Sequence, residues 1–234
     1  RIDFSMVKFR KNNSNKTVRD VLKQQYTYEL EIEFIDKKSK LDNVRIATEF
    51  ITLIKQLLES YYESPFILKL SDIERYKQEF KLSGNSGYDL VTLLRRHLNP
   101  ANPHNIGKDY TVTNKADGER SYLYVARDRK LLKISSKNKV TWTGFTAVND
   151  NHIGDCIDGE YIPDKLLFCI FDVYRFRNRN TRNLPLLKTD EDISLTSRLG
   201  CASLFVKDLN TDFVLKPSMK QLRIETKLFL AGDG

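Results

Sequence analysis

The chain has 234 residues, with 39 Lys and Arg against 31 Asp and Glu, so its net charge is +8 with three neutral histidines. Its 40% hydrophobic and 30% charged residues, with 10 Gly and 6 Pro, exclude a fibrous or wholly disordered chain. No window nears the roughly 18 uncharged apolar residues that a membrane-spanning helix needs, and the length suits one large domain or two small ones.

The elements are taken in chain order. In RIDFSMVKF, Ile2, Phe4 and Met6 alternate with Arg1, Asp3 and Ser5, the period of two that predicts a half-buried strand. A polar loop around KNNSNKT follows, and then YTYELEIEF alternates again, with Tyr28, Leu30, Ile32 and Phe34 on one face and Glu29, Glu31 and Glu33 on the other. Apolar positions at Leu41, Val44, Ala47, Phe50, Ile51, Ile54, Leu57, Leu58 and Tyr61 predict an amphipathic helix over 41–62, ended by Ser64-Pro65. Shorter helices are expected over 71–82 and 89–98, and the SGNSG loop between them is the expected boundary of two parts, 1–83 and 84–234. From Tyr110 onward, strand-like segments separated by turn residues predict an antiparallel sheet, giving an α+β fold.

The basic balance points to a polyanionic partner such as nucleic acid or nucleotide phosphates, although a solvated lysine-rich surface has the same composition. Cys156, Cys169 and Cys201 have no metal-ligand spacing and are odd in number, which argues against a disulfide scaffold or structural zinc. A reducing compartment, hence a cytoplasmic location, is expected.

The segment Lys115-Ala-Asp-Gly-Glu-Arg120 lies between two predicted strands. A lysine, an acid two residues on, a glycine that lets the chain turn tightly near a phosphate and an arginine suit nucleotide chemistry, because a deprotonated lysine amine can attack phosphorus. Neighbouring cations or desolvation would have to lower its pKa. A hairpin with a DG turn and solvated cations fits the same residues. The segment resembles motif I, KxDGxR, of the covalent nucleotidyltransferases, the superfamily of mRNA capping guanylyltransferases and of DNA and RNA ligases. Asp158-Gly159-Glu160 resembles motif III, and Phe168-Cys169-Ile170-Phe171-Asp172 resembles motif IIIa, in that order along the chain. Alone, the first reads equally as a turn and the second as a buried strand.

The resemblance implies an antiparallel-sheet nucleotidyltransferase domain over 84–234 in which Lys115 takes GMP from GTP and passes it to a 5′-diphosphate RNA end. It further implies that Asp117 and Glu160 support metal and lysine placement, that Gly118, Arg120 and Asp172 help bind nucleotide, and that Phe171, with Phe168 as second choice, stacks on the base. Motifs IV and V, including KxK-type lysines and a following OB-fold, are expected beyond Gly234; Lys216 and Lys220 do not fit motif V, and the terminal AGDG lacks its following strand.

Three carboxylates about 7 Å apart along one strand face can share a divalent ion if that face is enclosed, and otherwise make a solvated acidic face. With RIDFSMVK before it, YELEIEF resembles the carboxy-terminal part of the triphosphate tunnel metalloenzymes, RNA triphosphatases with a closed β-barrel. That resemblance implies that Glu31 and Glu33 ligate Mg²⁺ or Mn²⁺, that Glu29 orients water, and that Arg1 and Asp3 line the tunnel; the family's other ExE strand is absent. A tunnel strand ahead of KxDGxR resembles the multifunctional capping enzymes of large cytoplasmic DNA viruses and cytoplasmic linear plasmids, which implies a methyltransferase domain or subunit as a partner and a viral factory or virion as an alternative location. An ATP-dependent polynucleotide ligase, using the same lysine with AMP, is the alternative function, and a nonenzymatic RNA-binding scaffold is a third.

In YRFRNRNTRN, Arg175, Arg177 and Arg179 are expected on one face, with Arg182 beyond, either gripping an RNA 5′ end or decorating a solvated hairpin. Trp142 and Phe145 are expected in the core rather than on a base. His97, His104 and His152 show no ligand-like grouping.

Overall fold

The computed structural model describes residues 1–8, 25–33, 35, 42–62, 64–84, 91–107, 110–187, 194–217 and 221–232. Phe34, the KNNSNKT loop, Leu41, most of the SGNSG loop, Lys220 and the terminal Asp233-Gly234 lie outside them. The described residues form an α+β fold of mostly antiparallel strands with three α-helices. The chain divides into two compact units, Arg1–Ser60 and Tyr61–Gly234.

In the first unit, β1 (Ile2–Val7) pairs antiparallel with β2 (Thr27–Ile32), setting Phe4 opposite Leu30 and Asp3 opposite Glu31. The register keeps the alternation of both strands: Ile2, Phe4 and Met6 meet Ile32, Leu30 and Tyr28, while Asp3 and Ser5 meet Glu31 and Glu29. The Phe4 and Tyr28 rings stack with centroids 5.7 Å apart, yet Phe4 stays 70% exposed. The helix α1 (Asn43–Tyr62) starts on Asp42, whose carboxylate accepts the Arg45 amide at 2.8 Å, and it buries no residue. The closed barrel expected around the glutamates is therefore not formed by the described residues, which make a two-stranded ribbon.

The second unit starts with α2 (Leu70–Leu82), which sends Ile73 and Tyr76 into a core with Tyr124, Leu132, Ile134 and Tyr174. Residues 61–83 thus pack within this unit, ahead of the boundary expected at 83. The reason is the burial of Ile73 and Tyr76, which a reading of loop composition alone does not weigh. After α2, the expected helix over 89–98 is only a 3-10 turn, Arg95–Leu98, among the described residues. Val91, Leu93, Leu94 and Leu98 are exposed, so their periodicity finds no surface to pack on, and a short helix without tertiary packing is marginal.

The strands of this unit begin with β3 (Tyr110–Val112), β4 (Glu119–Val125) and β5 (Lys130–Ser135). They are followed by β6 (Val140–Ala147), β7 (Cys156–Ile162), β8 (Leu167–Phe176) and β9 (Arg179–Asn180). The helix α3 (Arg198–Asp208) then leads to β10 (Phe213–Leu215), β11 (Arg223–Thr226) and β12 (Leu230–Gly232). The main sheet runs β10-β6-β5-β4-β7-β8-β11, with β9 beside β8, and β11 is the parallel member, joining β8 with Ile224 opposite Phe168. Alternate residues of β4 divide between the two faces: Leu123 and Val125 pack with Phe205 of α3, and Tyr124 packs with Tyr76 of α2. Trp142 and Phe145 lie with the core as expected, the indole donating to the Phe145 carbonyl at 2.9 Å.

Candidate active site

Three segments far apart in sequence meet at one cavity of about 970 Å³ in the second unit. Lys115, Asp117, Gly118 and Arg120 come from the β3–β4 connection and the start of β4, Glu160 from β7, and Phe171, Asp172 and Tyr174 from β8. Pairing of β4 with β7 sets Arg120 directly opposite Glu160, and pairing of β7 with β8 sets Asp158 opposite Asp172.

Both DG dipeptides owe their glycine to close packing. A Cβ on Gly118 would lie 2.3 Å from the Tyr161 carbonyl oxygen, and one on Gly159 would lie 2.3 Å from the Phe168 ring and 2.6 Å from the Cys169 carbonyl oxygen. The role of Gly118 is thus the approach of β4 to β7, whereas the sequence suggested a tight turn beside a phosphate.

Under the cavity, Arg120 makes a bidentate pair with the fully buried Asp158, at 2.7 Å from Nη2 and 3.2 Å from Nε, and the Tyr174 hydroxyl donates to the same carboxylate at 2.6 Å. This pairing raises the Arg120 pKa further and fixes its charge. Asp172 is ion-paired with Arg198 of α3 at 2.8 Å and accepts the Val173 amide at 2.7 Å; burial nevertheless raises its pKa.

Lys115 lies on the cavity wall, but its side chain is 84% exposed and its ammonium is paired with Asp117. The hydrogen bond to Asp117, then that carboxylate's charge, raises the Lys115 pKa, and the same contact lowers that of Asp117. The expectation that neighbouring cations depress the lysine is overturned in this state, because its nearest charged group is a carboxylate.

Of the two candidate stacking rings, Phe168 is fully buried in the core and has no face to offer. Phe171 lines the cavity with the Arg120 guanidinium 5.9 Å from its centroid. Sequence reasoning missed Lys227 and Phe229, which also line the cavity. They follow β11, where Ile224 enters the core, so the alternation Ile224, Thr226 against Glu225, Lys227 was the available signal. The β3–β4 connection is tied to this segment by the Thr113 hydroxyl, which donates to the Leu228 carbonyl at 2.6 Å, and by antiparallel pairing of β3 with β12.

Glu29, Glu31 and Glu33 do not bring three ligand atoms together, and the group that does so among the described residues is His152, Asp208 and Asp212. Successive same-face positions on one strand are too far apart unless other strands close over them, so the glutamates as placed do not fit the metal the resemblance implies. At the cavity, Asp117 and Glu160 are hard oxygen donors, the kind Mg²⁺ takes alongside substrate phosphates.

His152, assigned no grouping from sequence, is fully buried: Nδ1 meets Asp155 at 2.8 Å and Nε2 meets Asp212 at 3.2 Å. These carboxylates raise its pKa against the opposing effect of burial, which itself pushes Asp155 up to about 6. Arg177 completes the network with three contacts to Asp208, at 2.7, 2.8 and 3.1 Å. Arg177 and Asn178 have positive φ of 47° and 61°, the type I′ geometry of a two-residue hairpin. Arg182 sits over the Tyr174 ring at 4.9 Å. Two of the arginines read as a possible RNA grip are thus engaged inside the unit. Lys216 lies by Trp142 and Phe66, away from the cavity.

No family model matches the chain, and no match is found among curated proteins.

Proposed function

We propose that the chain carries the nucleotidyl-transfer site of an mRNA capping guanylyltransferase. The observation that carries this reading is the meeting of Lys115, Glu160 and Phe171, from three separate KADGER, DGE and FCIFD segments, on one cavity large enough for a nucleotide. The resemblance of those segments to motifs I, III and IIIa supports it.

In the proposed reaction Lys115 parts from Asp117, loses a proton to solvent and attacks the α-phosphorus of GTP with its nitrogen lone pair. The P–N bond forms as the bond from that phosphorus to the bridging oxygen breaks, and pyrophosphate leaves with the bonding pair. A terminal phosphate oxygen of 5′-diphosphate RNA then attacks the same phosphorus, breaking the P–N bond and returning the amine, which takes up a proton. Phe171 supplies the stacking face for the base. Arg120, held by Asp158 and Tyr174, offers a fixed cation to the sugar-phosphate part. Asp117 and Glu160 would hold Mg²⁺ or Mn²⁺, which when bound neutralises phosphate charge. The triphosphatase activity expected of the parent protein rests on the glutamates of β2 being enclosed by further strands.

Incubation with α-labelled GTP and, separately, ATP tests the reading. The expected result is a covalent, acid-labile label from GTP that Lys115→Ala abolishes. Label from ATP alone makes the site that of a polynucleotide ligase, and label that survives Lys115→Ala overturns the assignment.

A further inference from the structure

His152 closes the 3-10 turn Asp150–His152 after β6, and its imidazole is fully buried. Asp208 is the last residue of α3 and Asp212 stands immediately before β10, so groups remote in sequence meet at one ring. Nε2 is 3.2 Å from Asp212 Oδ2 and 3.7 Å from Asp208 Oδ2, and the three ligand atoms lie within 4.8 Å of one another. Zn²⁺ bonds to imidazole nitrogen and carboxylate oxygen at about 2.0–2.2 Å, so the ligand atoms around a tetrahedral ion stand about 3.3–3.5 Å apart. The two distances from Nε2 bracket that spacing, and Asp212, whose side chain is 31% exposed, has room to turn toward an ion.

The surrounding groups are arranged as support. Nδ1 meets the fully buried Asp155 at 2.8 Å, the kind of partner that fixes the tautomer of a metal-bound histidine and leaves Nε2 bare for the ion. Asp155 is held in turn by the Arg177 amide, which donates to it at 2.7 Å. Arg177 also grips Asp208 Oδ1 at 2.7 Å, so Oδ2 can pass to an ion without releasing the guanidinium. A second observation favours a cation here: α3 ends at Asp208, and the negative end of a helix adds to the charge of the carboxylates.

We propose that His152, Asp208 and Asp212 form a Zn²⁺ site that stabilises the second unit, with water at the fourth position. One imidazole and two carboxylates at tetrahedral spacing suit Zn²⁺, whereas Mg²⁺ takes oxygen ligands in an octahedron. The ion clips the β6–β7 connection to the α3–β10 connection beside the core, where the His152 ring lies 4.9 Å from that of Phe213. In the metal-free chain the same groups make the hydrogen-bonded network described above. None of the three ligands is among the residues lining the nucleotide cavity, so the site stands apart from the reading of Lys115.

The test takes the whole chain stripped with a chelator, titrates it with zinc chloride in a calorimeter, and follows its melting with zinc chloride or magnesium chloride. One Zn²⁺ per chain should bind. At about a hundred times its dissociation constant it should raise the melting temperature by about 5–10 °C, while Mg²⁺ at the same concentration leaves it in place. Asp212→Asn and His152→Gln should each weaken Zn²⁺ binding by about tenfold or more. Asp212→Asn changes a part-exposed side chain, so it decides the matter if His152→Gln does not fold. Absence of Zn²⁺ binding overturns the inference. So does an affinity unchanged in Asp212→Asn, which puts the ion elsewhere, or an equal melting shift with Mg²⁺.

Discussion

The Tyr174 hydroxyl and the Arg120 guanidinium converge on one oxygen of Asp158, at 2.6 and 2.7 Å. Asp158 is fully buried, so its charge is acceptable only because both donors are present. Asp158→Ala leaves Arg120 without its anion and should cost about 2–3 kcal/mol. Tyr174→Phe removes one donor and should cost about 1 kcal/mol. Denaturant unfolding of the two variants checks the order, and equal losses would show that Arg120 does not depend on this carboxylate.

The pairing of Lys115 with Asp117 makes a titration prediction. Because Asp117 is the main cause of the raised lysine pKa, Asp117→Asn should move the midpoint of Lys115 acetylation, followed against pH by peptide mass spectrometry, to lower pH. The free amine then becomes a larger fraction at any given pH. A midpoint that stays put would mean that Asp117 does not hold the proton on Lys115.

Gly118→Ala and Gly159→Ala each force a methyl group against backbone, the Tyr161 and Cys169 carbonyls respectively. Overpacking of this kind costs about 1–3 kcal/mol, so the melting temperature should fall by roughly 2–10 °C. Alanine at Gly84, where nothing lies within 4 Å but φ is +65°, is the contrasting control for backbone strain alone.

The His152 network makes a prediction about stability against pH. His152 has a folded pKa above its ordinary 6.5, so its contribution is complete below pH 6.5 and is lost as pH rises through the raised value. The melting temperature should therefore decline from pH 6 toward pH 9, and His152→Gln should flatten that decline. Thermal scans across this range decide it, and a slope equal in the two proteins would place the titration elsewhere.

The strands β1 and β2 were legible from their alternation of apolar and polar residues, although neither has a buried residue, whereas β4 is covered on both faces, Leu123 and Val125 by one cluster and Tyr124 by the other. The cavity residues were legible as short segments, since glycine packing and the acids beside it constrain the chemistry locally. The α3 helix was not. Its Ser197 cap, with the hydroxyl accepting the Gly200 amide at 2.9 Å, is a local signal, but the small residues Gly200, Cys201 and Ala202 dilute the apolar period that packs Leu199 and Phe205 inward. Lys227 was legible only as the polar side of the alternation after Ile224: its place on the cavity wall depends on the parallel pairing of β11 with β8, a contact between segments more than 50 residues apart, which that alternation does not encode. The expected helix over 89–98 failed in the opposite direction, since its period exists without a surface to receive it.

The ribbon of β3 and β12 joins Val112 to Leu230, segments more than 100 residues apart along the chain. Segments so distant must close a long loop before they gain anything from meeting, and such closures come late in folding. Emerging from the ribosome, the lysine loop would wait for nearly the whole unit before its strand partner existed. The cavity would then be finished last, so a partly made chain would not display its complete lining.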